Sequence, residues 1–328
     1  LARAWGGRVS AWYPQLSDAP LVRIHYIIGV TPGDHPIPDQ AVMDAEIIET
    51  GRGWVDRFEG ALRAGDIDES AIGALSTWWA EAFGPGYRER YDAAEAVADL
   101  QEIQRLNASG ATGEAGGGGE PIAVRAFRTP ADTPLQFRFK LYRRGAAVPL
   151  SDVLPILADM GLTTLEEFGH AIRPAAEAGV ASEIHVHEFL LQDPRGAALA
   201  FADVRAPFEA AFSAVWGGST ESDGFNRLVL ELGVGWREAA LIRTLARYRQ
   251  QTGLDPSQVV QEEALRDHPA IARTLLSLFA CRFDPAQGNS VGDRATLCAE
   301  LTDKITALLR EVASLDQDRS LRRLAALI

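Results

Sequence analysis

The feature that most constrains the fold of this chain is the stretch of residues 135–217, in which two kinds of hydrophobic periodicity follow one another. It opens with LQFRFKLYRRG, where apolar residues alternate with the polar Gln136, Arg138 and Lys140. Alternation with a period of two predicts a strand with one buried face. The next segment, PLSDVLPILADMGL, spaces its apolar residues at the period of a helix. A helix is therefore expected directly after the strand.

Signals for both ends of this helix are present in the same segment. Ser151 or Asp152 can act as the N-cap, and Gly161 stands where a helix stops. Two more strands and a second helix are predicted after it, at residues 163–172, 183–191 and 197–216. The order β-α-β-β-α is that of a ferredoxin-like unit that lacks only its last strand. Such units usually bind small effectors or pair with another copy, and they rarely carry out chemistry alone.

The beginning of the chain shows part of the same pattern. Two strands, at residues 8–13 and 21–30, are joined by the turn sequence SDAP, and a helix is predicted at residues 39–63. A ferredoxin-like unit without its first strand and most of its first helix would show this order, so residues 1–64 are interpreted as a truncated module. Residues 67–106 are predicted to be helical throughout, with an aromatic core of Trp78, Trp79, Phe83 and Tyr87.

The remaining segments complete the predicted domain division. NASGATGEAGGGGE has the composition of a flexible linker, and residues 122–127 are predicted to form an edge strand of one module. From residue 221 onward only helices are predicted, at residues 222–232, 236–252, 256–265, 269–283 and 293–328. The fold class is therefore α+β, with ferredoxin-like modules on antiparallel sheets and an all-helical C-terminal segment. A truncated module with its following helices, the linker, a whole module and the helical segment are assigned to residues 1–106, 107–120, 121–217 and 218–328.

The composition limits the classes of partner. The chain of 328 residues has a formal charge of −13, which argues against nucleic acid and anionic membranes as partners. No apolar run approaches the ~18 residues of a membrane span and no signal peptide is recognised, so a cytoplasmic location is expected. Cys281 and Cys298, without a CxxC spacing, fit a reducing compartment and exclude a thiolate zinc site. Because the first residue is Leu1, the sequence is expected to be a piece of a longer protein.

Long sequence segments of unusual composition follow one another in a fixed order through nearly the whole chain. They are APLVRIHYIIGVTPG, RGWVDRFEGALR, KLYRRGAAVPLSDVLPILADMGL, IHVHEFLL, AVWGGSTESDGFNRLVL, GWREAALIRTLARYRQQTG, HPAIARTLLSLFACRFDP and SLDQDRSLRRLAALI. In amino-acid sequence and order these segments resemble the large bacterial NAD-specific glutamate dehydrogenases. In that family, ferredoxin-like modules of the ACT type and helical segments precede a C-terminal catalytic domain. The resemblance implies that this chain starts inside one ACT-type module, contains the next one whole and ends before the catalytic domain.

No catalytic residue, cofactor-binding residue or metal ligand is assigned to this chain. NAD is the cofactor that the resemblance implies for the full-length parent, and a GxGxxG turn between a strand and a helix would mark its site. The glycines of the linker follow no strand, and Gly233 and Gly235 are followed by Glu238 where a third glycine belongs. Gly233 and Gly235 are better explained as part of a turn between two helices. The two lysines, Lys140 and Lys304, are not placed for chemistry.

His185 and His187 offer an alternative of a different class. They alternate along one predicted strand and so share a face, with Glu183 beside them. Two imidazoles and a carboxylate could hold zinc or iron, which would make the chain a metal-dependent enzyme. The competing interpretation is a solvent-facing or partner-facing side of the strand, with Ile184 and Val186 buried behind it, and this interpretation is favoured.

An effector site is the other binding hypothesis. ACT-type modules commonly bind amino acids at the turn between their first strand and first helix, which here contains Arg144, Gly145 and Asp152. An arginine beside a helix N-terminus could hold a carboxylate. An ordinary βα connection with a solvated arginine explains the same residues.

The function predicted for the chain is a non-catalytic role in regulation or assembly. Its expected partners are the enzyme's own catalytic domain and other subunits of a homo-oligomer, with an amino-acid effector as a further candidate. A structural scaffold without any ligand is the alternative.

Overall fold

The computed structural model describes residues 1–15, 23–33, 35–65, 67–111, 121–179, 183–196, 199–251, 253, 257–286 and 291–328. Its first element is an antiparallel hairpin of β1 (Arg8–Gln15) and β2 (Arg23–Gly29), in which Trp12 pairs with Tyr26. The predicted SDAP turn lies outside the described residues. Helix α1 (Gln40–Gly51) follows the hairpin. Both elements expose large apolar side chains, among them Trp12, Tyr13, Tyr26, Ile27, Val42 and Ile48.

The prediction of one helix over residues 39–63 is wrong, because the structure has two helices there, α1 and α2 (Trp54–Ala64). The break lies at Gly53, the N-cap residue of α2, whose N–H donates to Asp56 Oδ2 at 3.1 Å. Gly51 and Gly53 both disfavour helix interior positions, and Asp56 supplies the hydrogen-bond partner that a new helix start requires.

Helices α3 (Glu69–Trp79), α4 (Pro85–Arg90) and α5 (Ala93–Ala111) occupy the region that was predicted to be helical throughout. The first two are separated by a short 3₁₀ turn and by Gly84-Pro85, with the proline at the first turn of α4. Together with α2 they enclose a core of Phe58, Leu62, Ile72, Trp79, Phe83, Tyr87, Leu100 and Ile103. Helix α5 extends into the start of the segment predicted as a linker, and residues 112–120 lie outside the described residues.

The next module has one four-stranded antiparallel sheet. Its strands are β3 (Ile122–Phe127), β4 (Gln136–Arg144), β5 (Thr163–Ile172) and β6 (Ile184–Gln192), in the order β3-β4-β6-β5. Helix α6 (Leu150–Asp159) connects β4 to β5, and α7 (Phe201–Trp216) follows β6. In this order β3 takes the edge position that the last strand of a ferredoxin-like unit would occupy. The strand missing from the predicted β-α-β-β-α unit is thus supplied from its N-terminal side.

Both faces of this sheet are covered, whereas the sequence pattern predicted one buried face. On one face Phe137, Phe139, Leu141, Phe189 and Leu191 share a core with α6 and α7. On the other face Tyr142, Ile172, Ile184 and Val186 belong to the core of α2–α5. Lys140, one of the polar residues that alternate along β4, therefore lies buried under α5.

The C-terminal part contains α8 (Leu228–Leu232), α9 (Trp236–Gln251), α10 (Gln258–Asp267), α11 (Pro269–Phe283), α12 (Val291–Leu309) and α13 (Leu315–Leu327). The single helix predicted over residues 293–328 is wrong, because Ser314 starts α13 by accepting a hydrogen bond from Gln317 N. These helices share one core with α6, α7 and their face of the sheet. The fold class is the predicted one, mixed α+β with antiparallel sheets and a largely helical C-terminal half. Within the described residues, none of the helices has the length and apolar character to cross a membrane.

Candidate functional site

The connection between β4 and α6 holds the three residues predicted to bind an effector. β4 ends at Arg144, and Gly145 adopts a positive φ of 82° with its N–H donating to Glu183 O at 2.8 Å. Asp152 is exposed in the first turn of α6, where its Oδ1 accepts from Ser151 Oγ at 3.1 Å. The three residues thus lie along one connection, with Gly145 and Asp152 open to solvent.

The prediction that Ser151 or Asp152 caps α6 is wrong. The N-cap residue is Pro149, which has no side-chain cap, and its carbonyl accepts from Asp152 N at 3.0 Å. A proline has its φ restricted close to the helical value, so it can begin a helix without a polar cap. The predicted helix stop is confirmed, since Gly161 has a φ of 82° directly after the C-cap Met160.

The side chain of His187, on β6, contacts the connection between β4 and α6. Its Nε2 accepts from Val148 N at 3.2 Å, and its Nδ1 contacts Glu167 Oε1 at 2.7 Å. Because the Val148 amide can only donate, Nε2 must be the unprotonated nitrogen and Nδ1 the one that donates to the carboxylate. The side chain is buried, so the interpretation of this face as solvent-facing is wrong at His187.

The metal hypothesis receives no support from this geometry. Both ring nitrogens of His187 are used by protein groups, and His185 Nε2 lies 3.9 Å from Glu183 Oε1. In the part of the chain that the structure describes, no group of three or more His, Cys, Asp or Glu residues could hold a metal ion.

A second polar centre lies on the opposite face of the sheet, where β4 meets α5. Lys140 is 0% exposed, and its Nζ lies 2.6 Å from Glu95 Oε1 and 2.7 Å from Asp99 Oδ2. Glu188, its cross-strand neighbour on β6, places Oε2 at 3.8 Å. The ammonium also lies 4.0 Å from the ring centroid of Tyr91. We call the group of Lys140, Arg125, Glu95 and Asp99 the Lys140 cluster.

Asp99 has a full set of donors. Besides Lys140, it accepts from Tyr87 Oη at 2.6 Å, from Tyr142 Oη at 2.7 Å and from Arg125 Nη2 at 3.1 Å. Burial, followed by the negative charge of Asp99, raises the pKa of both tyrosines well above its ordinary value. Both hydroxyls therefore remain protonated and donate. Four donors on two carboxylate oxygens compensate for the loss of water around a buried charge.

A cleft of about 410 Å³ borders the Lys140 cluster between α4, α5 and the sheet. Its wall includes Glu188, which is 1% exposed and whose Oε1 accepts from Arg138 Nη1 at 2.7 Å. Among the described residues, Oε2 of Glu188 finds no hydrogen-bond partner, and it faces Lys140 Nζ at 3.8 Å. The lining combines cations, anions and aromatic rings, namely Arg90, Tyr91, Asp92, Glu95, Phe127, Thr129, Arg138 and Glu188.

The sequence did not single out the Lys140 cluster, and the prediction for Lys140 was only that it is not placed for chemistry. One signal for it was available in the strands, because Lys140 on β4 and Glu188 on β6 are directly opposed. Another was the i, i+4 spacing of Glu95 and Asp99, beside the apolar residues Ala96 and Leu100 of α5. The pairing of that helix with this sheet face could not be read from either signal.

Four family models for segments of glutamate dehydrogenase match the chain in succession. Their descriptions are ACT2 domain, helical motif 2, ACT3 domain and helical motif 3, and they match residues 1–55, 65–106, 121–204 and 220–285. The four-stranded sheet with α6 is therefore matched as an ACT domain of glutamate dehydrogenase, and helical motifs of the same family are matched before and after it.

Three relatives of this chain are NAD-specific glutamate dehydrogenases. NAD-specific glutamate dehydrogenases of Halomonas elongata, Pseudomonas aeruginosa and Mycobacterium tuberculosis are 34%, 31% and 28% identical to it over 95%, 95% and 100% of this chain. The chain spans 18–20% of the length of these relatives. It is homologous to the ACT and helical-motif region of the NAD-specific glutamate dehydrogenases, which confirms the resemblance found in the sequence.

Proposed function

We propose that this chain is a non-catalytic regulatory and assembly region of a cytoplasmic NAD-dependent glutamate dehydrogenase. The whole enzyme would convert L-glutamate, NAD and water to 2-oxoglutarate, ammonium and NADH. NAD would be held by the catalytic domain of that enzyme and not by this region. The proposal is supported by the matched segments, which are ACT domains and helical motifs.

The observation that carries the proposal is the cover of helices on both faces of one sheet. α5 contacts β4 through the buried Lys140 cluster, and α8–α13 share the apolar core of the opposite face. A displacement of α5 along the sheet would separate Lys140 from Asp99 and leave both charges buried and unpaired, which is costly. The ACT sheet and its two helical layers would therefore move as one body. Such a body can pass a change at the module to the catalytic domain or to another subunit.

An amino-acid effector is proposed at the connection between β4 and α6. The carboxylate of the amino acid would bind the Arg144 guanidinium near the N-terminus of α6, with Gly145 leaving room for the ligand. His187 would keep this connection in place through its bond to Val148 N. The alternative is a structural scaffold that binds no ligand. The ion pairs of the Lys140 cluster favour this alternative, because they hold α5 on the sheet without a ligand.

A thermal-shift panel with each amino acid and with NAD tests the effector proposal. A ligand that binds only the folded chain raises the Tm according to RT ln(1 + [L]/Kd). Stabilisation by one or a few amino acids, lost in Arg144→Ala, would support a sensor. An equal shift in Arg144→Ala would rule out this site, and no shift with any amino acid would favour the scaffold.

A direct assay tests the absence of catalysis. The chain is mixed with L-glutamate and NAD, and NADH absorbance is followed beside a full-length homologous enzyme as positive control. No NADH is expected from the chain. NADH formation, or a Tm increase with NAD alone, would contradict the assignment of cofactor binding to the catalytic domain.

A further inference from the structure

The two cysteines of the chain lie against each other in the C-terminal helices. Cys281 on α11 and Cys298 on α12 are free thiols whose Sγ atoms are 2.7 Å apart. This distance is about 0.7 Å longer than a disulfide bond of roughly 2.0 Å. Their side chains face each other from two packed helices, so little movement is needed for the sulfurs to bond.

The two thiols have different surroundings. Cys281 is 1% exposed, near the C-terminus of α11, whereas Cys298 is 9% exposed. Cys298 also lines a surface cleft of about 590 Å³, whose charged residues are Arg282, Arg294 and Asp303. A small oxidant can therefore reach Cys298 first.

The access of the two sulfurs to solvent assigns their roles. Cys281 Sγ donates to Arg294 O at 3.6 Å and is buried, and the contact with Cys298, followed by burial, raises the pKa of Cys281 above its ordinary value. Cys298 borders the cleft and is therefore the better placed of the two to act as the nucleophile.

We propose that Cys281 and Cys298 form a reversible disulfide when the protein meets a hydroperoxide. The Cys298 thiolate attacks the terminal oxygen of the peroxide, so an S–O bond forms, the O–O bond breaks and the leaving oxygen takes up a proton. Cys281 sulfur then attacks the resulting sulfenic acid, the S–S bond forms, and the departing hydroxide leaves as water with the Cys281 proton. Two thiols and one hydroperoxide give one disulfide, one alcohol (water, when the peroxide is H₂O₂) and one water.

The disulfide would join α11 to α12 covalently. Both helices contribute to the core shared with the ACT sheet, so the bond would restrain the helical layer on that face. This inference goes beyond the regulatory and assembly role proposed above and does not depend on it. The chemistry requires only the two sulfurs and the oxidant.

Thiol counting after treatment of the folded, reduced chain with stoichiometric H₂O₂ tests the proposal. Because the chain has two cysteines, the count after denaturation should fall from two to zero. The intact mass of the monomer should drop by two hydrogen atoms, and dithiothreitol should restore both thiols. Two surviving thiols, a mass gain from added oxygen atoms or a disulfide-linked dimer would each overturn the proposal.

Two single variants test the order of events. In Cys281→Ser, the sulfenic acid of Cys298 should accumulate, because no second thiol can react with it, and dimedone should trap it. In Cys298→Ser, Cys281 should react at least about tenfold more slowly, because it is buried and protonated. Equal dimedone labelling in both variants would contradict the assignment of Cys298 as the attacked thiol. As a control, the wild-type chain in denaturant should form the disulfide much more slowly, since unfolding removes the proximity of the sulfurs.

Discussion

At the scale of single residues, Asp99 shows how this protein keeps a charge inside. Its carboxylate is fully buried, and its two oxygens accept from Lys140, Tyr87, Tyr142 and Arg125. Removing two opposite charges from water is expensive, so the pair adds little net stability by itself. Removing one partner is different, because the cost of burying the other charge is then less fully compensated; without Asp99, Lys140 keeps Glu95 as its close carboxylate.

Asp99→Asn is expected to destabilise the chain by about 3–5 kcal/mol, the usual cost of breaking a buried ion pair. The amide keeps the shape of the side chain but removes the charge that Lys140 faces. Urea denaturation measures the change in the free energy of unfolding. Asp44→Asn, at an exposed position of α1, is the matched control and should change stability by less than about 0.5 kcal/mol. Equal effects of the two variants would show that the ion pair is unimportant.

Glu231 on α8 is a buried carboxylate in a poorer environment. Its Oε1 accepts from Arg195 Nη1 at 2.5 Å, whereas its Oε2 has no hydrogen bond in the described structure. Burial raises the pKa of Glu231 to about 7, although Arg195 and two further arginines lower it. Between pH 4.5, which is the ordinary pKa of a glutamate, and about pH 7, Glu231 of the folded chain holds a proton that the unfolded chain has released. The stability from this group is therefore fully present below the ordinary value and is lost as the pH rises through 7.

Glu231→Gln should remove this pH dependence. The variant is expected to match the wild type at about pH 5 and to exceed its stability by roughly 1–3 kcal/mol at about pH 8, where the wild type must bury the charge. Urea midpoints at the two pH values provide the measurement. Glu300→Gln, an exposed change on α12, should leave the wild-type pH dependence in place. A variant that is less stable than the wild type at the higher pH would mean that the pair with Arg195 outweighs burial.

At the scale of elements, the connection between β4 and α6 is held by one side chain from another strand. α6 starts at Pro149 without a polar cap, so the hydrogen bond from Val148 N to His187 Nε2 is the tertiary contact that fixes its entry. His187 is in turn oriented by Glu167 on β5. Two strands, β5 and β6, and the start of α6 thus meet at one imidazole.

His187→Ala should loosen this connection without unfolding the module. Loss of one hydrogen bond, worth about 1 kcal/mol, is expected to speed hydrogen exchange at the Val148 amide by roughly three- to tenfold. Exchange followed by NMR or by mass spectrometry of the peptide containing Val148 measures this. His185→Ala serves as the control, because His185 shares the strand face but not the bond. If both variants changed the exchange of Val148 equally, the contact would not be specific.

At the scale of the whole molecule, order is unevenly distributed. The ACT sheet is covered by helices on both faces, whereas the hairpin β1–β2 exposes Trp12, Tyr13, Tyr26 and Ile27. Local opening is cheapest where few apolar groups are buried. Amides of β1 and β2 should exchange faster than those of β4 and β6 by about two orders of magnitude or more. Hydrogen exchange resolved by peptide decides this, and equal protection of hairpin and sheet would contradict it.

The sequence by itself determined the elements of the ACT module and the family. Period-two and helical spacing in residues 135–217 are local properties, set by which backbone conformation places apolar side chains on one side. The strand-helix-strand-strand-helix order and Gly161 as the helix stop followed from them. The positions of helix breaks at Gly53 and Ser314 were missed, because a cap competes with continued helix by only about 1 kcal/mol.

Only the tertiary structure decided what covers the second face of the sheet. An alternating strand has the same pattern whether its polar side meets water or a helix that supplies opposite charges, so the sequence predicted one buried face where the structure buries Lys140 under α5. Three other features were likewise visible only in the tertiary structure. They are the burial of His187 under a loop, the contact of Cys281 with Cys298 and the position of β3 as the missing edge strand. Each depends on pairing between segments far apart in the chain, and periodicity within one segment carries no information about its partner.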